Sequence, residues 1–340
     1  MFRAIYKLHP QFDMAGIDVV ICRNTMAKLF DSITGTPKSF EIDVECMGNT
    51  FLFVRNEKKT TERISCFRGY GFTFPDEYTK WDSEVKGSSS HHRIAQYDFA
   101  GLKFLLRFQT DGYLVDHATA AKEARPTAQG DEPKMTSLQK LSDSLTLGEP
   151  LPGTEQTLKI LTGGREIAQN ATIEIKTRAA HKVLDTDSVL PRLWMSQTSN
   201  LIAAYHKGGQ FDDVQIIDVH NQLKSWEKQN SMNLQKLGAL IRLIVNTVQT
   251  STTKKCRIKR TEGGELEIWE LDSGHQSALP DDLCLKLHIG SGHLDEDSLA
   301  EHHAHDSEDE DDFVDANDES DRDYTACSSE DCGYCGHCSY

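Results

Sequence analysis

Apolar residues recur with period two along several stretches of the chain and with a period near 3.6 along one long stretch. The run Ile17-Asp18-Val19-Val20-Ile21 predicts a strand, and Thr25 to Ser32 predicts a helix directly after it. Residues 38–56 alternate as a half-buried strand pair with Gly48-Asn49 as the turn, a dipeptide that tolerates left-handed backbone. The strongest strand pattern lies in residues 91–116, in Leu102-Lys103-Phe104-Leu105-Leu106-Arg107-Phe108. Structure is expected to resume at Leu158-Lys159-Ile160-Leu161, with a strand over Ala171 to Thr177 and two or three more between 199 and 219. Residues 231–251 place Leu234, Leu237, Ile241, Ile244, Val245 and Val248 on one helical face, which Leu240 widens, so a well-buried amphipathic helix is expected. Cys256 to Lys259 and Leu266 to Glu270 read as a closing hairpin around Gly263-Gly264.

These elements predict a mixed α+β body over residues 1–290. The polar stretch 118–157, rich in Ala, Thr, Ser, Gly and Pro, interrupts it and reads as a disordered insert or surface loop. Residues 291–326 form an acidic low-complexity tail, and 327–340 a cysteine-rich terminus. No internal repeat is visible.

Charge changes the picture only at the tail. The net charge of −16 is concentrated there, because residues 291–340 hold 17 of the 53 acids and one base, Arg322. The body is therefore neutral and carries no global basic footprint for nucleic acid. No run of about 18 apolar residues exists, so no membrane span is expected. Met1 to Pro10 has no apolar run after its basic residues and does not read as a secretory signal. Cys22, Cys46, Cys66, Cys256 and Cys284 sit among apolar or strand-like neighbours and read as buried thiols. An intracellular, reducing setting, nucleus or cytoplasm, follows.

The sharpest chemical feature is Glu174-Ile175-Lys176. Residues two apart on a strand share a face, so Ile173 and Ile175 would face the core while Glu174 and Lys176 stand together on the open face. A carboxylate can hold Mg²⁺ or Mn²⁺ there, and a lysine can orient water or stabilise developing charge during phosphodiester cleavage. A surface ion pair has the same pattern. Asp111, at the end of the strand 102–108, is a second candidate ligand. It is equally a turn residue before Gly112.

Five segments, in order over about residues 12 to 290, resemble the decapping and exoribonuclease (DXO, Rai-like) family. They suggest a divergent fungal-type relative. Val19 to Leu29 is similar to its first motif, Gly69-Tyr70-Gly71-Phe72-Thr73-Phe74 to its second, and Leu105 to Asp111 to its third. Ile173-Glu174-Ile175-Lys176-Thr177 resembles the fourth, and Trp194-Met195-Ser196-Gln197 a Trp-Ala-Gln segment with Gln197 offset by one. The resemblance implies a PD-(D/E)XK nuclease-like core of mixed sheet flanked by helices, acting on RNA 5′ ends. It further implies that Arg23 binds substrate phosphate, that Gln197 binds substrate, and that Asp111, Glu174 and Lys176 form the metal-dependent catalytic group. The chain departs where the second motif has Glu, with Pro75, and where the third has Glu-x-Asp, with Gln109-Thr110-Asp111. Asp76 and Glu77 lie near the lost Glu and are candidate substitutes. Two carboxylates in place of four weaken Mg²⁺ binding.

Lys254-Lys255-Cys256-Arg257-Ile258-Lys259-Arg260 suits either RNA phosphates, a nuclear import signal, or an exposed edge strand guarded by charges, with the edge strand preferred. Cys327, Cys332, Cys335 and Cys338 suggest a thiolate Zn²⁺ site with His337 in reserve, an iron–sulfur cluster being the weaker alternative and a flexible thiol tail the plain one. Ser307 sits in an acid-directed kinase context. Asp311-Asp312-Phe313-Val314-Asp315 matches the Asp-rich motif of prenyl diphosphate synthases, but that motif needs a packed helix facing a second one, and an acidic tail yields it by chance.

Three functions are compatible with these residues. The first is a metal-dependent RNA 5′-end hydrolase, in which Glu174→Ala abolishes activity and spares the fold. The second is an inactive protein that binds RNA ends or a 5′–3′ exoribonuclease, which Pro75 and Gln109 favour. In the third, the tail is the working module and the body its scaffold.

Overall fold

The computed structural model describes residues 1–56, 69–115 and 159–290; Cys66, the insert 118–157, the tail and its four cysteines lie outside them. The mixed α+β body is built on two sheets. The larger has seven strands in the order β11-β10-β2-β3-β1-β5-β4. These are β1 (Val19–Cys22), β2 (Phe40–Met47), β3 (Thr50–Arg55), β4 (His92–Phe99), β5 (Leu102–Gln109), β10 (Lys255–Arg260) and β11 (Leu266–Glu270). The smaller has the order β6-β7-β8-β9, from β6 (Gly112–Tyr113), β7 (Thr172–Ala179), β8 (Asn200–Lys207) and β9 (Gln210–Asp218). The helices are α1 (Phe2–Leu8), α2 (Arg23–Thr34), α3 (Thr73–Tyr78), α4 (Thr186–Ser196), α5 (His220–Gln229), α6 (Ser231–Thr250) and α7 (Asp281–Gly290).

The continuous run Phe104-Leu105-Leu106 is explained by burial of the large sheet on both faces. Val19, Ile21, Phe104 and Leu106 pack with Met26 and Leu29 of α2 and with Leu237 and Ile241 of α6. Val20, Leu52 and Leu105 point the other way, onto Phe2 and Ile5 of α1 and Leu283 and Leu287 of α7. In α6 the expected face is buried through Leu234, Leu237, Ile241, Ile244 and Val248, with Leu240 and Val245 packed against it. Gly238 lies on that face because α6 crosses the β4–β5 turn closely: an added Cβ would come 2.5 Å from the Cβ of Ala100.

Three expectations change. The described part of 158–161 forms no helix or strand, and Leu161 is exposed. Strand β10 is not an edge; it lies between β2 and β11. Three of its four cations are matched to acids on β2: Arg257 lies 2.7 Å from Asp43, Lys255 3.1 Å from Glu45, and Lys259 3.5 Å from Glu41, while Arg260 donates to the Thr36 and Gly264 carbonyls. Cross-strand matching and these carbonyl bonds give Lys255, Arg257, Lys259 and Arg260 partners within the fold. Cys256 is buried, whereas Cys22, Cys46 and Cys284 are only partly so, and none of these four forms a disulfide.

No helix among the described residues is long and apolar enough to cross a membrane.

Candidate functional site

Parallel pairing sets the site. Strand β1 runs parallel to both β3 and β5, with Cys22 opposite Arg107. The C-terminal ends of β1 and β5 therefore emerge together, which is where parallel sheets place ligands. Arg23 is the first residue of α2, immediately after β1, and is buried with its guanidinium 5.8 Å from the Phe108 ring centroid.

From β5 the chain crosses to the small sheet. Strand β6 pairs antiparallel with β7 through Gly112 and Ile173. Two side chains stitch the crossing to β7. Thr110 Oγ1 donates to the Ile173 carbonyl at 3.1 Å, and Asp111 Oδ2 accepts from the Ile175 N–H at 2.6 Å. Asp111 is thus fixed beside Glu174 by the backbone of β7.

Period-two alternation holds in β7, but its second face is not open. Ile173 and Ile175 pack with Phe74 and Ala204, while Glu174, on the opposite face, is only 3% exposed. Three cations converge on the Glu174 carboxylate. Arg192 Nε lies 2.9 Å from Oε1, Lys176 Nζ 3.6 Å from the same oxygen, and Arg23 Nη1 donates to Oε2 at 3.2 Å. The surface ion pair is thereby excluded. Arg192 was not singled out from the sequence. It comes from α4, the crossover helix between the parallel strands β7 and β8, and only that crossover brings it over Glu174.

The electrostatics follow from burial and neighbours. Burial alone would raise the Glu174 carboxyl, but Arg192, Arg23 and Lys176 outweigh it and hold it near about 2. Asp111 goes the other way: burial first, then the Glu174 charge, push it up to about 6 against the Ile175 hydrogen bond and the nearby cations. Burial and the Arg192 charge push Lys176 down to about 8, against Glu174 and Asp111. With both acids ionised and Lys176 protonated, three cations face two anions. This is an anion-attracting site.

Asp111, Glu174, Lys176 and Arg192 line a cleft of about 1330 Å³, as do Gln109, Pro75 and Asp76. Arg23, expected to bind substrate phosphate, does not line it: it is buried and spends its guanidinium on Glu174. Gln197 does not line it. It caps the C-terminus of α4 with left-handed backbone (φ 54°), and its side-chain amide donates to the Trp194 carbonyl at 2.6 Å. The expected replacement of the lost Glu is not assembled either. Asp76 and Glu77 are exposed, and no group of three or more His, Cys, Asp or Glu among the described residues could hold a metal ion. Asp111 and Glu174 are the carboxylates of the cluster, Gln109 lines the same cleft with a neutral amide, and both Glu174 oxygens already face cations. Such a set fits Mg²⁺ or Mn²⁺ only when substrate phosphates and water complete the shell. The tail cysteines lie outside the described residues.

The chain belongs to the family described as a domain of unknown function, DUF8563, which matches residues 1–288. No curated protein matches it in sequence. Among solved structures it is similar to Rai1 of Scheffersomyces stipitis in complex with (3′-NADP)+ and calcium ion, at 11% identity and a TM-score of 0.53 over 85% of this chain and 78% of that one. It is also similar to Candida albicans Rai1 in complex with pU5-Mn2+, at 12% identity and a TM-score of 0.50 over 86% and 81%. The fold is that of the Rai1 structures, as the order of the five motif-like segments implied.

Proposed function

We propose that this DUF8563 protein is an RNA 5′-end-processing hydrolase that grips the terminal phosphate before it can use a metal. The observation that carries this reading is the convergence of Arg23, Arg192 and Lys176 on Glu174 at the cleft, with Asp111 beside it. The positive excess suits a phosphate, and the fold shared with Rai1 structures makes an RNA end the natural bearer of it. Arg192 and Lys176, each with some exposure to the cleft, engage the phosphoryl oxygens, and Arg23 holds the Glu174 carboxylate in place. Asp111 and Glu174 are the residues that would hold Mg²⁺ or Mn²⁺, which polarises the phosphoryl group when bound. Lys176, with its lowered proton affinity, orients the attacking water or donates a proton to the leaving oxygen.

The test is release of the 5′ group from 5′-triphosphate, unmethylated-cap and NAD-capped RNA, with Mg²⁺ or Mn²⁺, alongside Asp111→Asn and Lys176→Met. Metal-dependent release lost in both variants supports hydrolysis. Binding of 5′-phosphorylated RNA with no release in any metal supports a second reading, an RNA-end binder that presents the end to a 5′–3′ exoribonuclease. Pro75 and Gln109, which stand where charged ligands are expected, favour that second reading.

A further inference from the structure

Exposed aromatic rings are scarce and unevenly placed. Among the described residues four large aromatics are exposed: Phe72, Tyr78, Trp81 and Trp269. The first three all line the cleft that holds the cationic cluster. Tyr78 stacks one face on buried Phe74, with centroids 4.2 Å apart and an interplanar angle of 15°, which fixes the ring and leaves it 56% exposed as a residue. Trp81 follows three residues later, beyond the end of α3, and belongs to no core cluster. Lys80 stands between them and lines the same cleft. Of the acids on this wall, Asp82 is paired with Arg165 at 3.2 Å and accepts from Tyr113, while Asp76 is exposed.

Three large rings, each 42–56% exposed, on one cleft wall make an apolar patch of the kind that marks a binding surface. The occupant is indicated by what lies deeper in the same cleft. Rings interleaved with a lysine, leading to an anion site, match a strand of unpaired nucleotides: bases stack on π-faces while the backbone follows positive charge. A volume of about 1330 Å³ exceeds the roughly 300–1,000 Å³ typical of small-molecule sites and accommodates several nucleotides.

We propose that Trp81, with Tyr78, forms a nucleobase-stacking subsite for the first unpaired nucleotides of an RNA whose 5′-phosphate lies at Arg192 and Lys176. The subsite rests on the phosphate reading above for its direction along the strand. It predicts tolerance of base identity and intolerance of base loss, because every base offers a π-face.

The experiment is fluorescence anisotropy in EDTA, which prevents metal-dependent cleavage. The probes are 3′-labelled adenosine pentanucleotides carrying a 5′-phosphate, a 5′-hydroxyl, or a 5′-phosphate with abasic sugars at the first two positions. Wild type should bind the intact phosphorylated strand about tenfold more tightly than the abasic one. Trp81→Ala should lose that preference and bind both like the abasic strand, Trp81→Phe should restore it, and the thermal midpoint of each variant should match wild type. If Trp81→Ala binds the intact strand as tightly as wild type and still prefers it to the abasic one, the subsite is overturned while a retained preference for 5′-phosphate keeps the phosphate reading. Base-dependent binding lost in Trp81→Ala, with no preference for 5′-phosphate, keeps the subsite and removes the phosphate reading. No binding by wild type overturns both.

Discussion

The carboxylate of Asp111 accepts a hydrogen bond from the backbone N–H of Ile175 at 2.6 Å, and so places itself beside Glu174 across the seam between the two sheets. The pair is asymmetric. Glu174 sits in a cage of cations and stays ionised, whereas Asp111, buried next to that charge, holds its proton to about pH 6.

Asp111 should make stability pH-dependent. A carboxyl whose folded-state pKa is raised stabilises the fold fully below its unfolded value, and that contribution is lost as pH rises through the folded value, here from about 3.8 to about 6. In metal-free buffer Asp111→Asn should therefore gain on wild type as pH rises from 4 to 7, by on the order of 1–3 kcal/mol. Urea denaturation at the two pH values measures it. An unchanged difference would show that Asp111 ionises freely.

Glu174→Ala should not leave the fold untouched, contrary to the expectation from sequence. It would leave Arg23, Arg192 and Lys176 together with Asp111 as their one remaining anion. Removing one partner of a buried ionic group costs about 3–5 kcal/mol. Chemical denaturation should show this loss, and Glu174→Gln, which keeps acceptor oxygen, should lose less. Absence of RNA 5′-end hydrolysis in Glu174→Ala is thus informative only beside a measurement of its folding.

Lys176→Met should stabilise the protein at neutral pH while removing activity. A lysine with a depressed folded-state pKa contributes stability above its unfolded value of about 10.5, and loses it as pH falls through about 8. Wild type thus carries an unfavourable buried charge at pH 7 that the variant lacks, worth on the order of 1–3 kcal/mol. The gain should shrink between pH 8 and 10. A variant less stable than wild type at pH 7 would mean that Lys176 is held by more than its charge.

Gly238→Ala should destabilise the protein although alanine is the better helix former. Its Cβ would press on the Ala100 Cβ at 2.5 Å. Overpacking of this kind costs about 1–3 kcal/mol. Ala100 has left-handed backbone (φ 54°), so Ala100→Gly relieves both the clash and the local strain. The double variant should recover most of the loss in a thermal melt, and a merely additive pair of effects would argue against the contact.

The helix 231–250, the hairpins 40–55 and 255–270 and the strand 172–179 were legible because each buries one consistent set of apolar residues, and periodicity reports that directly. The short flanking helices Phe2–Leu8 and Asp281–Gly290 were not, since among the described side chains each places just two buried apolar residues against the sheet, Phe2 and Ile5 or Leu283 and Leu287, too few for a period to show. Gln197 was assigned by its place in a motif-like segment, and helix-end geometry turned it away from the cleft.

Sequence pattern was enough for most of the strands (though not for β4 or β6), for the shared face of Glu174 and Lys176, and for Arg23 following a strand. Those are local consequences of period-two geometry and of an apolar run meeting a helix. Tertiary structure alone decided what covers that face. Arg192 arrives through a crossover helix, Asp111 through a strand of another sheet, and Arg23 through parallel pairing of β1 with β5. Whether a carboxylate stands open to a cation or caged by arginines depends on neighbours distant in sequence. Charge and burial act through space at a few ångströms, and no spacing along the chain encodes that distance.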